Sequence, residues 1–200
     1  MPQNSKRDPH KRDAEATRQR ILEAAVDAFS RQGYSGTGIR DIAALAETST
    51  TLLLRYFGSK AGLFEAALRH CIPSERIETV TRDDLAPRAA AWISTQEIAP
   101  KLTMMVVLAS GDPEIAEVAA RVYAQTNIDP LAAFFGEPDG RERAAEIAMI
   151  SMGYIFMMRH FALPDLDETT REAITAWYGK TLDEIVKRPR PVAQAESLAD

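Results

Sequence analysis

Three apolar stripes of helical period, packed into residues 14 to 57 with little chain between them, constrain this sequence more than anything else in it. From Ala14 to Arg31, the residues Ile21, Leu22, Ala25, Val26 and Phe29 follow the i, i+4, i+8 rows of an amphipathic helix. Gly33 stops that stripe. After the link GYSGTG, Ile39, Ile42, Ala43 and Ala46 repeat at i, i+3, i+4, i+7, with Thr37 placed to cap the start. Ser49 can cap a third helix over about Thr50 to Phe57, in which Leu53 and Phe57 share a face at i, i+4, and Ser59 can cap a fourth that begins at Lys60. Helix, three-residue break and short helix make a helix-turn-helix, whose second member enters the major groove of DNA.

With Leu53 and Phe57 turned inward, Thr50, Thr51, Arg55 and Tyr56 face out. That set suits a duplex. Threonine can hydrogen-bond a base edge or touch a thymine methyl, arginine can pair with guanine or phosphate, and tyrosine can donate to a phosphate oxygen. Lys60, at a helix N-terminus, adds a cation where backbone N–H groups already attract anions.

The stretch TRQRILEAAVDAFSRQGYSGTGIRDIAALAETSTTLLLRYFGSKAGLFEAAL, residues 17 to 68, closely resembles the N-terminal domain of tetracycline-repressor-like (TetR/AcrR) transcriptional regulators. The resemblance is carried by the Thr-Arg opening of the first helix, the exit AFSRQGY, the pattern T-x-I-R-D-I-A in the second helix, and YFGSKAGLF between the third and fourth. It implies that Thr37, Arg40, Tyr56 and Lys60 anchor phosphates while Thr50, Thr51 and Arg55 face the groove. Three positions depart from the family pattern. Glu47 stands in the turn where glycine is common, at a position tending to positive φ; Thr50 replaces lysine or proline; and Leu54 replaces tyrosine.

The net charge of −5 argues on its face against a polyanionic partner. Its distribution is uneven. Residues 1 to 60 hold ten Lys/Arg against seven acids, a local balance of +3 that leaves −8 for the remainder. A hydrophobic share of 46% with no run of about 18 uncharged apolar residues describes a water-soluble chain without a membrane span, and the N-terminus has no secretory pattern, so a cytoplasmic location is expected. The lone cysteine, Cys71, reads as a small buried hydrophobe. Neither a metal-ligand spacing nor a nucleophile elbow, P-loop or dinucleotide fingerprint occurs, so neither an enzyme nor a cofactor is implied.

Residues 70 to 200 read as further helices over roughly 83–96, 98–109, 113–135, 139–162 and 167–187, broken at IPSE, SGDPE, NIDP, GEPDG and ALPDLDE. The expected architecture is all-α with about nine helices. It comprises a disordered basic arm over 1–13 that could reach DNA, a helix-turn-helix domain over 14–60, a helical effector-binding and dimerisation domain over 61–188, and a disordered tail over 189–200. The segment from Asp112 to Leu166 looks like the C-terminal half of many actinobacterial-type members of the same family, which implies a ligand-binding and dimerising role. The helix over 139–162 is apolar on several sides and must be covered on all of them. A homodimer interface of Ala148, Ile155, Ile174, Trp177, Tyr178 and Leu182 would do so, on a near-palindromic double-stranded operator. Aromatics and methionines concentrate in this half, and Trp92, Met104, Met105, Tyr123, Phe134, Met149, Met152 and Phe156 could line a pocket for a small hydrophobic effector.

Overall fold

Serine, glycine and proline punctuate this chain so regularly that its helices are bounded by recognisable stop and start signals. The computed structural model describes residues 9–72, 79–95, 97–161, 163–164 and 166–189, and all regular structure among them is helical. The helices are α1 (Pro9–Gly36), α2 (Ile39–Leu45), α3 (Thr50–Phe57), α4 (Lys60–His70), α5 (Arg82–Thr95), α6 (Ile98–Ala109), α7 (Pro113–Tyr123), α8 (Asp129–Phe135), α9 (Gly140–Ile155) and α10 (Glu168–Lys187). A π-helical segment, Ala124–Ile128, joins α7 to α8 without a break, and another, Phe156–His160, prolongs α9. Counted as continuous rods these make nine among the described residues, and the chain stays helical through NIDP, where a break was expected. Residues 73–75 of the break at IPSE, residues 1–8 of the basic arm and the tail from 190 onward lie outside the described residues.

Two boundaries differ from expectation. The first helix begins at Pro9, so residues 9 to 13 are helical rather than disordered. Proline at a first helical turn loses no intrahelical bond, and the following Lys, Arg, Ala and Glu residues are good helix formers. Within α1 the helical backbone is interrupted at Gly33, at φ 69°, where the apolar stripe ends. The second difference is the start of α2: Thr37 does not cap it. Gly38 holds the cap position and its N–H donates to the Asp41 carboxylate at 3.2 Å.

The chain divides into two compact units. The first takes Met1–Ile72 together with Lys101–Val122. Its core holds Ile21, Ala25, Phe29, Ile42, Leu53 and Phe64, each fully buried. Phe29, Tyr34 and Phe64 meet edge-on and stacked with centroids 5.1 to 6.0 Å apart. The later residues of this unit are tied to the earlier ones at several points. Lys101 Nζ pairs with Asp27 at 2.5 Å, Ser35 donates to Asp112 at 3.2 Å, and Arg121 reaches Glu65 at 2.8 Å beside the Arg69–Glu65 pair at 2.9 Å. The hydrogen bonds from Arg121 and then Arg69 hold the Glu65 carboxyl below its ordinary 4.5. Cys71 is 1% exposed, and burial pushes its thiol up to about 12 against the opposing charge of Lys101. It packs as the small hydrophobe its sequence context implied.

The second unit, Pro73–Pro100 with Tyr123–Asp200, has its core in Ile93, Phe135, Ile147, Ile155, Tyr178 and Leu182. A charged pair, Arg143 and Asp139, is buried in it. Arg143, fully buried, donates through Nε to Asp139 at 2.7 Å and reaches the carbonyls of Ile185, Arg188 and Pro189 at 3.2, 2.7 and 3.1 Å. The first turn of α9 thereby supplies partners to the orphan carbonyls that end α10.

Candidate nucleic-acid interface

The turn between α2 and α3 is closed by two backbone bonds. The N–H of Thr48 donates to Ala43 at 2.9 Å and that of Glu47 to Ala44 at 3.1 Å, the 6→1 and 5→2 pair of a Schellman motif with Glu47 at the left-handed position. Glu47 has φ 50°, as its place in the turn led us to expect. It is the one non-glycine residue with positive φ among the described residues. Ser49 then accepts the Leu52 N–H at 3.1 Å and starts α3, and Ser59 accepts the Gly62 N–H at 3.0 Å and starts α4. Both caps stand where the sequence placed them.

These constraints set the roll of α3. Leu53 is fully buried beneath it, while Thr51, Leu54 and Arg55 are exposed and Thr50 is half-buried. Arg40 is exposed on α2. Groove-facing candidates Thr50, Thr51 and Arg55 therefore share one outer side of one short helix. The phosphate candidates are placed differently. Thr37 is 2% exposed, with its hydroxyl 2.7 Å from the Gly33 carbonyl and 3.3 Å from that of Ala28, a donor consumed by the end of α1. Burial removes it from any surface contact. Tyr56 is half-buried and its hydroxyl donates to the Ala14 carbonyl at 3.3 Å, so the proton assigned to a phosphate ties α3 to α1. Arg18 lies over the Phe57 ring at 5.5 Å and joins the same two helices. Lys60 is half-buried at the first turn of α4 with its ammonium 4.2 Å from the centroid of Tyr34. Sequence reasoning missed Asp41 as the residue closing the α2 start; its signal was the three-residue spacing from Gly38.

In the second unit the expected assignments partly exchange. Ile155, Tyr178 and Leu182, expected at a subunit interface, are core residues with 5%, 1% and 1% exposure; Tyr178 also stacks on Tyr154 at 4.2 Å and bonds Ser151 at 2.9 Å. Met149, expected in a pocket, is 66% exposed. It lines an open groove of about 490 Å³ between α9 and α10, with Ile150, Thr181 and Glu184. Trp177, one turn before Thr181, is 56% exposed, while Ala148 and Ile174 are half-buried. Of the other pocket candidates, Trp92 and Phe134 pack on the second core, Tyr123, Met152 and Phe156 are half-buried in the same unit, and Met104 and Met105 belong to the first unit.

Comparison with known proteins places these observations in a family. Residues 21–67 match a sequence model described as bacterial regulatory proteins, tetR family, and residues 88–186 match one described as tetracyclin repressor-like, C-terminal domain. The chain is similar to the HTH-type transcriptional repressor NicS of Pseudomonas putida, 42% identical over 74 residues, which is 36% of this chain and 35% of that protein. It is also similar to the HTH-type transcriptional regulator RutR of Escherichia coli, 42% identical over 80 residues, 40% and 38% of the two chains. The chain thus spans little more than a third of the length of these relatives. Among solved structures, a TetR-family transcriptional regulator from a Rhodococcus species superposes with a TM-score of 0.69 at 19% identity, covering 86% of this chain and 99% of that one. NalD of Pseudomonas aeruginosa, a repressor of a multidrug efflux pump, gives 0.58 at 23% identity over 85% and 96%. At these identities both speak for the fold.

Proposed function

The chain belongs to the tetR family of bacterial regulatory proteins, and we propose that it is a sequence-specific DNA-binding transcriptional repressor, working as a homodimer on a near-palindromic operator and released by a small, largely apolar ligand. The observation that carries this reading is α3: capped by Ser49, held from below by Leu53, and offering Thr51 and Arg55 outward on a helix that follows a tight turn. Arg40 and the N-terminus of α4 with Lys60 supply flanking phosphate contacts. In the second unit, Met149 and Trp177 expose apolar surface beside one groove, which favours burial against a second copy. A ligand site in the same unit is supported by its aromatics and by Asn127, whose buried amide nitrogen lies in a π-helical segment with no hydrogen-bond partner among the described residues.

Fluorescence anisotropy with the duplex upstream of its own gene, against scrambled duplex over a salt series, tests the DNA reading. Arg55→Ala is expected to cost about 1–3 kcal/mol on the cognate duplex and to relax base preference, whereas Lys60→Ala weakens all sequences alike and lowers the salt slope by about one. Equal affinity for cognate and scrambled duplex would overturn sequence-specific recognition. Calorimetric titration of hydrophobic candidate effectors with and without operator tests release: tenfold weaker operator binding, about 1.4 kcal/mol, must be matched by tenfold weaker ligand binding on DNA.

A further inference from the structure

Leu54 is an apolar side chain on the outer side of the helix that we assign to the groove. It is 38% exposed, whereas its inner neighbour Leu53 is fully buried and holds α3 to its unit. Its backbone is committed, since the Leu54 carbonyl accepts the Gly58 N–H at 2.8 Å and so closes the helix. Its side chain keeps an exposed apolar surface. One turn earlier on the same helix, at i−4 and i−3, stand Thr50 and Thr51, each presenting a methyl beside its hydroxyl. Arg55 is the only cation within α3. The outer side of this helix is thus an apolar and hydroxyl patch with one charge at its edge.

The chemistry of base edges limits what such a patch can accept. In the major groove guanine offers two acceptors, cytosine a donor, adenine one of each, and thymine an acceptor and a 5-methyl group. A leucine lying over a donor or acceptor covers it without pairing it, which is unfavourable. The thymine methyl is the one base-edge group it can cover to advantage. On the DNA-binding reading given above, we propose that Leu54, flanked by the methyls of Thr50 and Thr51, reads thymine 5-methyl groups, so that each half-site carries an A·T pair facing this patch and the protein discriminates thymine from uracil there.

Selection from a random duplex library with the full-length protein, followed by single thymine-to-deoxyuridine replacement in the enriched sequence, tests this. Uracil keeps every hydrogen-bonding group of thymine and removes only the methyl. Wild-type protein is expected to lose about three- to fivefold in affinity at one thymine per half-site, the loss of one buried methyl. Leu54→Ala places a good helix former on an exposed site and is expected to bind thymine and uracil duplexes alike. Circular dichroism confirms that it is folded. A wild-type protein indifferent to uracil at every thymine, or a Leu54→Ala variant that keeps the full discrimination, would overturn the role of Leu54 and leave DNA binding standing. Failure of any duplex to enrich would overturn the DNA-binding reading itself, and this inference with it.

Discussion

Glu47 sits at φ 50° in the tight turn before α3, where an L-residue brings its Cβ close to the following carbonyl. The Schellman bonds around it fix the turn and leave no other backbone choice. Glu47→Gly is therefore expected to stabilise the protein, by up to about 1 kcal/mol, read as a higher urea midpoint with an unchanged slope. A lower midpoint would mean that the glutamate side chain has a compensating role. Arg143 presents the opposite case: a buried guanidinium with every visible partner inside the unit. Its replacement by alanine leaves a carboxylate and several carbonyls without it, and about 3–5 kcal/mol of destabilisation is expected by denaturant unfolding. The hydrogen bond from Arg143, more than any other influence, holds the Asp139 carboxyl below its ordinary 3.8. Since the folded state favours the charged form, this contribution is complete above the unfolded value and is lost as pH falls towards the depressed folded one. Acid titration of unfolding should accordingly show a shallower decline in stability below about pH 5 for Asp139→Asn than for wild type.

Among the elements, the junction of α3 and α4 carries the tightest constraint. A Cβ on Gly62 would stand 2.3 Å from the Phe57 carbonyl oxygen, so α3 can end this close to the first turn of α4 only over a glycine. Gly62→Ala should push the two helices apart and lower both thermal stability and DNA affinity, although alanine is the better helix former; a variant with wild-type melting temperature and affinity would refute this. Much of the element pattern was legible beforehand because it depends on neighbours in sequence. Ser49, Ser59 and Gly33 act within one turn of themselves, and the apolar stripes of α1 to α3 are narrow enough to have a single inward solution. Thr37 failed as a cap because a hydroxyl close to a helix end has two sets of backbone groups to choose from, and here the carbonyls of α1 took it. For α9 and α10 the difficulty was the breadth of their apolar surface. Where most sides of a helix are hydrophobic, sequence does not say which one the core claims, and so Tyr178 and Leu182 went inward while Met149 and Trp177 stayed out.

For the whole molecule, those outward residues bear on assembly. Trp177→Glu places a charge amid the surface we assign to a second copy, and analytical ultracentrifugation should show a dimer for wild type and a shift to monomer for the variant. An unchanged dimer would relocate the interface. The first unit has a further property: it is discontinuous in sequence. Lys101 and Asp112 bind Asp27 and Ser35 of α1, Arg121 binds Glu65 of α4, and Leu108 comes within 3.3 Å of where a Cβ on Gly33 would lie. The helices to which we assign DNA reading are consequently not a detachable cassette. A chimera that grafts residues up to Ile72 onto a foreign domain would leave Asp27, Ser35 and Glu65 without Lys101, Asp112 and Arg121, so portability in this protein requires transplanting α6 and α7 along with α1 to α4.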